Sequence, residues 1–296
     1  MKSKYLRLLR PIAWITFLLP FTVGLGLGVT SDSNPLHLIF AFIAFSCWMS
    51  FSFILNSIVD KDVDRLHDGR SKDMNLAYQP LATGEINEKK ALYLSILFLF
   101  CSLFFAWLIN NLFFVIILLV NAIGYIYSVP PMRFKARPLG DIVCNTAAGG
   151  LIFSAGLSIG GANMYPPLIF GAFVMTSIFY IPTVVTDHEF DKKAGLKTSA
   201  VYFTPKRLLQ AMYPLTVLLV LIALFIFLTG NFELKVLAFF IIVYTIISIL
   251  VVNSKLKGDR LYINENWILI PFSLVSIAFV GYGILKLFGF LVLNEI

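Results

Sequence analysis

Long apolar runs, interrupted by short polar stretches, set the pattern along this chain. A helix crossing a membrane needs roughly 20 apolar residues. Runs of about that length lie near 11–30, 36–58, 91–109, 112–131, 142–160, 165–186, 209–229, 234–252 and 267–288. Two uncharged stretches, 91–132 and 142–186, are each too long for one span. The turn residues Asn110-Asn111 and Gly160-Gly161 divide them. The pattern therefore predicts an all-α integral membrane protein with nine transmembrane helices. The opening MKSKYLRLLRP resembles the basic start of a signal peptide. The apolar run behind it is long, contains Pro20 and GLGLG, and shows no A-x-A cleavage site, so it reads as a retained first helix.

Composition agrees. Hydrophobic residues make up 59% and charged residues 13%, with 29 Phe among 296 residues, which is far from an ordinary globular chain. No polar, proline-rich or low-complexity linker divides the sequence, so residues 1–296 read as a single membrane domain in the lipid bilayer. Cys47, Cys101 and Cys144 all lie in apolar runs without a CxxC pair. They read as small core residues rather than as a disulfide framework or metal site.

Charge fixes an orientation. All but Lys235 and Lys286 of the 23 basic residues fall on the N-terminal tail and on loops 59–90, 133–141, 187–208 and 253–266. Positive residues mark the inner side, so the N-terminus is expected to be cytoplasmic and the C-terminus outside, in a multi-pass protein of the cell membrane. The net charge of +7 then reports topology and gives no reason to expect a nucleic-acid partner.

The second run ends on NSIVDKDVD, residues 56–64. If the helix continues through it, Asn56, Asp60 and Asp64 stand at i, i+4 and i+8. They form a single stripe drifting only about 40° per step, with Asp62 turned away. The sixth run closes alike: TDHEFDKKAGLKT places Asp187 and Asp191 at i and i+4. Both clusters belong to the same side of the membrane, at corresponding ends of helices two and six, which suggests a pseudo-repeat of two four-helix halves plus a ninth helix. One such cluster could simply mark the interface and pair with Arg65 or Lys192. Two matched clusters, each closing a charge-free helix, point to a site, because ionisable groups at membrane depth are costly and mark function.

Four gathered carboxylates need a cation, and hard oxygen donors suit Mg²⁺, which keeps several waters and is completed by substrate phosphate oxygens. The same loops carry Arg65, Arg70, Lys72, Arg133, Lys135 and Lys192, with Lys193 and Lys197 beside them. Each is also explained by topology, but arginine grips phosphate oxygens in bidentate fashion. Acid stripes for metal and a basic fringe for phosphate, above Phe- and Ile-rich helices, describe a site for a diphosphate with an apolar tail.

N-x-x-x-D-x-x-x-D (Asn56, Asp60, Asp64), YQPLATGEI, GYIYSVPPMRFKARP and D-x-x-x-D (Asp187, Asp191) together resemble the UbiA superfamily of membrane prenyltransferases, most closely its archaeal-type members. The likeness runs from LRLLRPIAW to KKAGLKTSAVYF. It implies a nine-helix bundle around a central cavity, capped by loops at about 59–90 and 187–208. It implies that Asn56, Asp60, Asp64, Asp187 and Asp191 hold Mg²⁺, two ions bridged by the diphosphate of an isoprenyl donor such as geranyl or geranylgeranyl diphosphate. Two positions depart from the family pattern. Ser57 stands where many members have a further aspartate, and Pro131 occupies the place, four residues after Tyr127, where the family has lysine.

The chemistry this implies is loss of diphosphate to give an allylic cation, stabilised by metal and basic side chains. Tyr127, Tyr125, Tyr180, Phe51 and Phe53 are candidates to face the cation in a pocket that excludes water. A lipophilic acceptor then attacks, and the family's acceptors include quinone precursors, ether lipids, chlorophyll-like molecules and carotenoids. His37, His67 and His188 are too scattered to form a metal site. The alternative is a membrane transporter or lipid-binding protein that uses the acids for cation or substrate binding. Transporters more typically place such groups at the membrane midplane on broken helices.

Overall fold

Asparagine side chains set where several of the long helices begin. Asn34 accepts the Leu36 N–H at 3.0 Å, Asn87 the Lys89 N–H at 2.8 Å and Asn110 the Phe113 N–H at 2.8 Å, each supplying a partner that the first helical turn lacks. The computed structural model describes residues 4–65, 79–161, 164–256 and 266–289, and every regular element among them is helical. The long helices are Ile15–Gly28, Pro35–Val59, Glu88–Trp107, Asn111–Ser128, Gly140–Leu157, Pro166–Lys193, Pro205–Thr229, Phe232–Leu256 and Asn266–Leu287. Among the described residues seven spans are long and apolar enough to cross a membrane.

Both expected divisions occur where the turn residues stand. Asn110 caps Asn111–Ser128, and Gly161, at φ 72°, ends the turn Ser158–Gly160. Several boundaries shift by a few residues, and two of the shifts bear on the architecture. The first run opens as a 3-10 turn, Pro11–Trp14, before the α-helix. The sixth helix continues past 186 to Lys193, because the end of an apolar stretch marks the edge of lipid and does not stop a backbone from staying helical.

The Glu88–Trp107 helix is built inside out. Its buried positions are Ala91, Ser95, Ser102 and Ala106, while Tyr93, Leu97, Phe100, Phe104 and Trp107 are exposed. Small and weakly polar residues inside, with large apolar ones outside, suit a helix whose outer face meets lipid. The inner side uses the polar groups: Asn121 donates to Ser102 Oγ at 3.1 Å and to the Ile117 carbonyl at 2.8 Å.

The chain divides into two compact units. The first comprises Met1–Phe134, Leu151–Asn163 and Leu269–Ile296. In it Phe21 stacks on Phe45 at 4.8 Å and meets Phe42 edge-on at 5.4 Å, joining the first two long helices. Gly24 and Gly28 lie against the backbone of Phe153 and Leu157, and Gly156 against that of Phe21, so the paired G-x-x-x-G spacings let these helices touch main chain to main chain. The second unit comprises Lys135–Gly150 and Met164–Ile268. There Val174, Ile178, Ile181 and Val185 pack with Leu208, Leu209, Met212 and Leu219.

Candidate active site

The first acidic motif lies where the Pro35–Val59 helix ends. Asp60 leaves helical geometry (φ −91°, ψ 3°), and Lys61–Arg65 form one further turn. The hydrogen bonding runs through the break: the Asp60 N–H donates to the Asn56 carbonyl at 2.9 Å, and the Asp64 N–H to the Asp60 carbonyl at 2.7 Å. The expected stripe therefore survives a kink. The Asp60 and Asp64 side chains are each 13% exposed, whereas Asp62 is 87% exposed.

Two arginines meet this stripe. Arg133 Nη2 lies 3.0 Å from Asp60 Oδ1, and Arg10 Nη2 lies 3.6 Å from Asp64 Oδ2. Both hold a left-handed backbone, Arg133 at φ 37° and Arg10 at φ 49°, a conformation unfavourable for any residue with a Cβ. Such strain persists only where surroundings over-determine it, and it clusters at functional sites. Asn56 Oδ1 accepts from Ser128 Oγ at 3.4 Å, which links the motif to the end of the helix carrying half-buried Tyr127. Ser57 is buried and donates to Gln79 at 3.5 Å, so it ties down the loop in which the sequence reads QPLATGEI.

Of the other basic residues expected at the site, Arg65 turns away and Lys135 is buried. Arg65 pairs with exposed Asp62 at 3.0 Å and donates to the Ala82 carbonyl at 3.3 Å. Lys135 is buried in the turn Phe134–Ala136. Arg70 and Lys72 lie outside the described residues.

The second motif is on the last two turns of Pro166–Lys193, with Asp187 exposed, Asp191 buried and Lys192 exposed. Gly195, at φ 70°, closes this helix: its N–H donates to the Lys192 carbonyl at 3.2 Å and the Leu196 N–H to the Asp191 carbonyl at 2.9 Å. This pair of bonds is a Schellman cap, which turns the chain back beside the helix end. Thr198 consequently reaches Asp191 and donates to its Oδ2 at 3.0 Å. His188 pairs with Glu189 at 3.0 Å.

Among the described residues no three acidic, histidine or cysteine side chains form a metal-holding group by themselves. The donors present, carboxylates and one amide oxygen, are the hard ligands Mg²⁺ takes. Their small number fits an ion completed by water and substrate phosphate rather than one caged by protein. Sequence reasoning missed Arg10, which it counted only toward topology, and also Asp141, Thr198 and Ser199.

A model of the UbiA prenyltransferase family matches residues 17–262. The chain belongs to the UbiA prenyltransferase family. This prenyltransferase is similar to a UbiA homolog from Archaeoglobus fulgidus solved bound to DMAPP and Mg²⁺, with TM-score 0.92 and 48% identity, covering 96% of this chain and 99% of that one. The same homolog bound to GPP and Mg²⁺ gives TM-score 0.91 and 47% identity, with the same coverage. It is also similar to the digeranylgeranylglyceryl phosphate synthase of Saccharolobus solfataricus, 28% identical over 69% of each chain. The 4-hydroxybenzoate octaprenyltransferase of Aliivibrio salmonicida is 28% identical over 74% of each. The family, and relatives that transfer prenyl groups, weigh against the transporter reading.

Proposed function

We propose that this membrane prenyltransferase moves an isoprenyl group from an isoprenyl diphosphate to a lipophilic acceptor, with Mg²⁺ required. The observation that carries the reading is the half-buried pair Asp60 and Asp64, each faced by an arginine, at the end of a membrane-length helix. The likeness to a homolog solved with GPP and Mg²⁺ supports the donor class. Asn56, Asp60, Asp64, Asp187 and Asp191 would hold the metal, and Mg²⁺ would supply neutralisation of the diphosphate charge.

The chain's own residues do the rest. Arg133 and Arg10, already set beside the first motif, are placed to turn from carboxylate to diphosphate oxygen, since a guanidinium suits both. Lys135, Lys192, Arg70 and Lys72 extend the basic fringe. Once turned to the bound donor, these charges stabilise the departing diphosphate as the allylic C–O bond breaks. Tyr127 offers a ring face to the cation, and the apolar helices exclude the water that would quench it. The acceptor nucleophile then forms the new bond to the allylic carbon and gives up its proton.

The same proposal includes nine transmembrane helices in two four-helix halves plus one, with the N-terminus and active site cytoplasmic. The distribution of basic residues supports this orientation. The test is diphosphate release from radiolabelled geranylgeranyl diphosphate by the purified chain with Mg²⁺. Release should be lost in Asp60→Asn and in Asp187→Asn. Full release by both variants would sink the reading.

A further inference from the structure

Asp141 has no place in the chemistry above, yet it is among the most buried charged residues described, at 1% exposure in the first turn of Gly140–Leu157. Its hydrogen-bond partners are Ser199 N–H at 2.9 Å, Ser199 Oγ, and its neighbour Ile142 N–H at 2.9 Å. Ser199 Oγ also accepts the Leu139 N–H at 2.8 Å, and Leu139 stands at φ 64°. A buried carboxylate is a costly way to hold a turn. Its advantage is two acceptor oxygens, which here engage both donors of one residue and fix it in position and rotation. Immediately before that residue comes Thr198, buried, whose hydroxyl donates to Asp191 Oδ2.

We propose that Asp141 is a positioning residue for the second acidic motif: it locks Ser199, Ser199 sets Thr198, and Thr198 orients the Asp191 carboxylate. The inference rests on the reading that Asp191 serves metal and donor. Partners of this outer kind orient ligands and commonly cost 10–100-fold in affinity when removed. The sequence pattern alone hides the link, because the two tied residues are 58 positions apart.

The test uses the full chain in detergent, with Mg²⁺ and geranylgeranyl diphosphate as probes. Asp141→Asn and Thr198→Val should each raise the donor KM and the Mg²⁺ requirement roughly 10- to 100-fold, with kcat changed far less. Thr198→Ser, which keeps the hydroxyl, should restore near-wild-type values. The double variant Asp141→Asn/Thr198→Val should bind donor no worse than either single one. A lowered melting temperature with unchanged donor KM in Asp141→Asn would overturn the proposal, as would additive effects in the double variant. Should Asp141→Asn fail to fold, a wild-type donor KM in Thr198→Val overturns it equally. Asp191→Asn separates the two readings. If it leaves donor binding intact, the proposed function fails; if it abolishes binding while Asp141→Asn and Thr198→Val do not weaken it, only the positioning role fails.

Discussion

Gly195 offers a perturbation whose size can be worked from geometry. Its φ of 70° lies in the left-handed region, while a Cβ added there would meet nothing within 4 Å. Gly195→Ala therefore carries no steric collision, and the whole effect is conformational. Placing an L-residue in that region costs about 1–2 kcal/mol. The less flexible unfolded chain returns roughly 0.4–1 kcal/mol of it. The net loss is about 1 kcal/mol, or a fall of about 2–4 °C in melting temperature. Asn tolerates the region and should lose less, whereas β-branched Val should lose more. Both cap hydrogen bonds end on the turn that carries Asp191 and Lys192, so the donor KM should rise in the same order. Thermal melts of the solubilised variants, paired with Mg²⁺-dependent turnover, provide the assay. If Gly195→Val proves no worse than Gly195→Ala, the cost does not come from the left-handed backbone and the reasoning fails.

Two further outcomes follow from exposure and contact. Asp64→Asn should cut diphosphate release by about 100-fold or more, as loss of one preorganised electrostatic group does, while Asp62→Asn, on a side chain 87% exposed, should stay within experimental error of wild type. Equal losses in initial-rate assays would mean that the stripe has been assigned to the wrong face. Gly28→Ala should destabilise by about 1–3 kcal/mol or more, because its Cβ would stand 2.6 Å from the Leu157 carbonyl carbon, a backbone atom that no rotamer change can move aside. A melt matching wild type would show that these helices do not pack so closely.

Much of the helical layout was legible because lipid demands length and apolarity, and because asparagine and glycine punctuate the runs. Asn110 and Gly161 interrupt helices where they were expected to. The i, i+4, i+8 stripe was legible too, since a single-residue kink at Asp60 leaves the backbone hydrogen bonds in step. What the sequence concealed were ties between distant segments. Nothing in local periodicity links Arg10 to Asp64 or Asp141 to Ser199, and a charge count can assign Arg10 only to topology. Arg65 shows the reverse: it stands in the same loop as the acids, but its side chain turns to Asp62, three residues back on the same short helix.

The most direct test is a structure of this chain with Mg²⁺ and an unreactive thio-analogue of geranylgeranyl diphosphate. Asp60 and Asp64 on one helix, and Asp187 and Asp191 on another, are expected to serve the metal of a single diphosphate, with Arg133 turned toward its oxygens. A diphosphate held by one pair alone, with the other pair out of its reach, would contradict the proposed site.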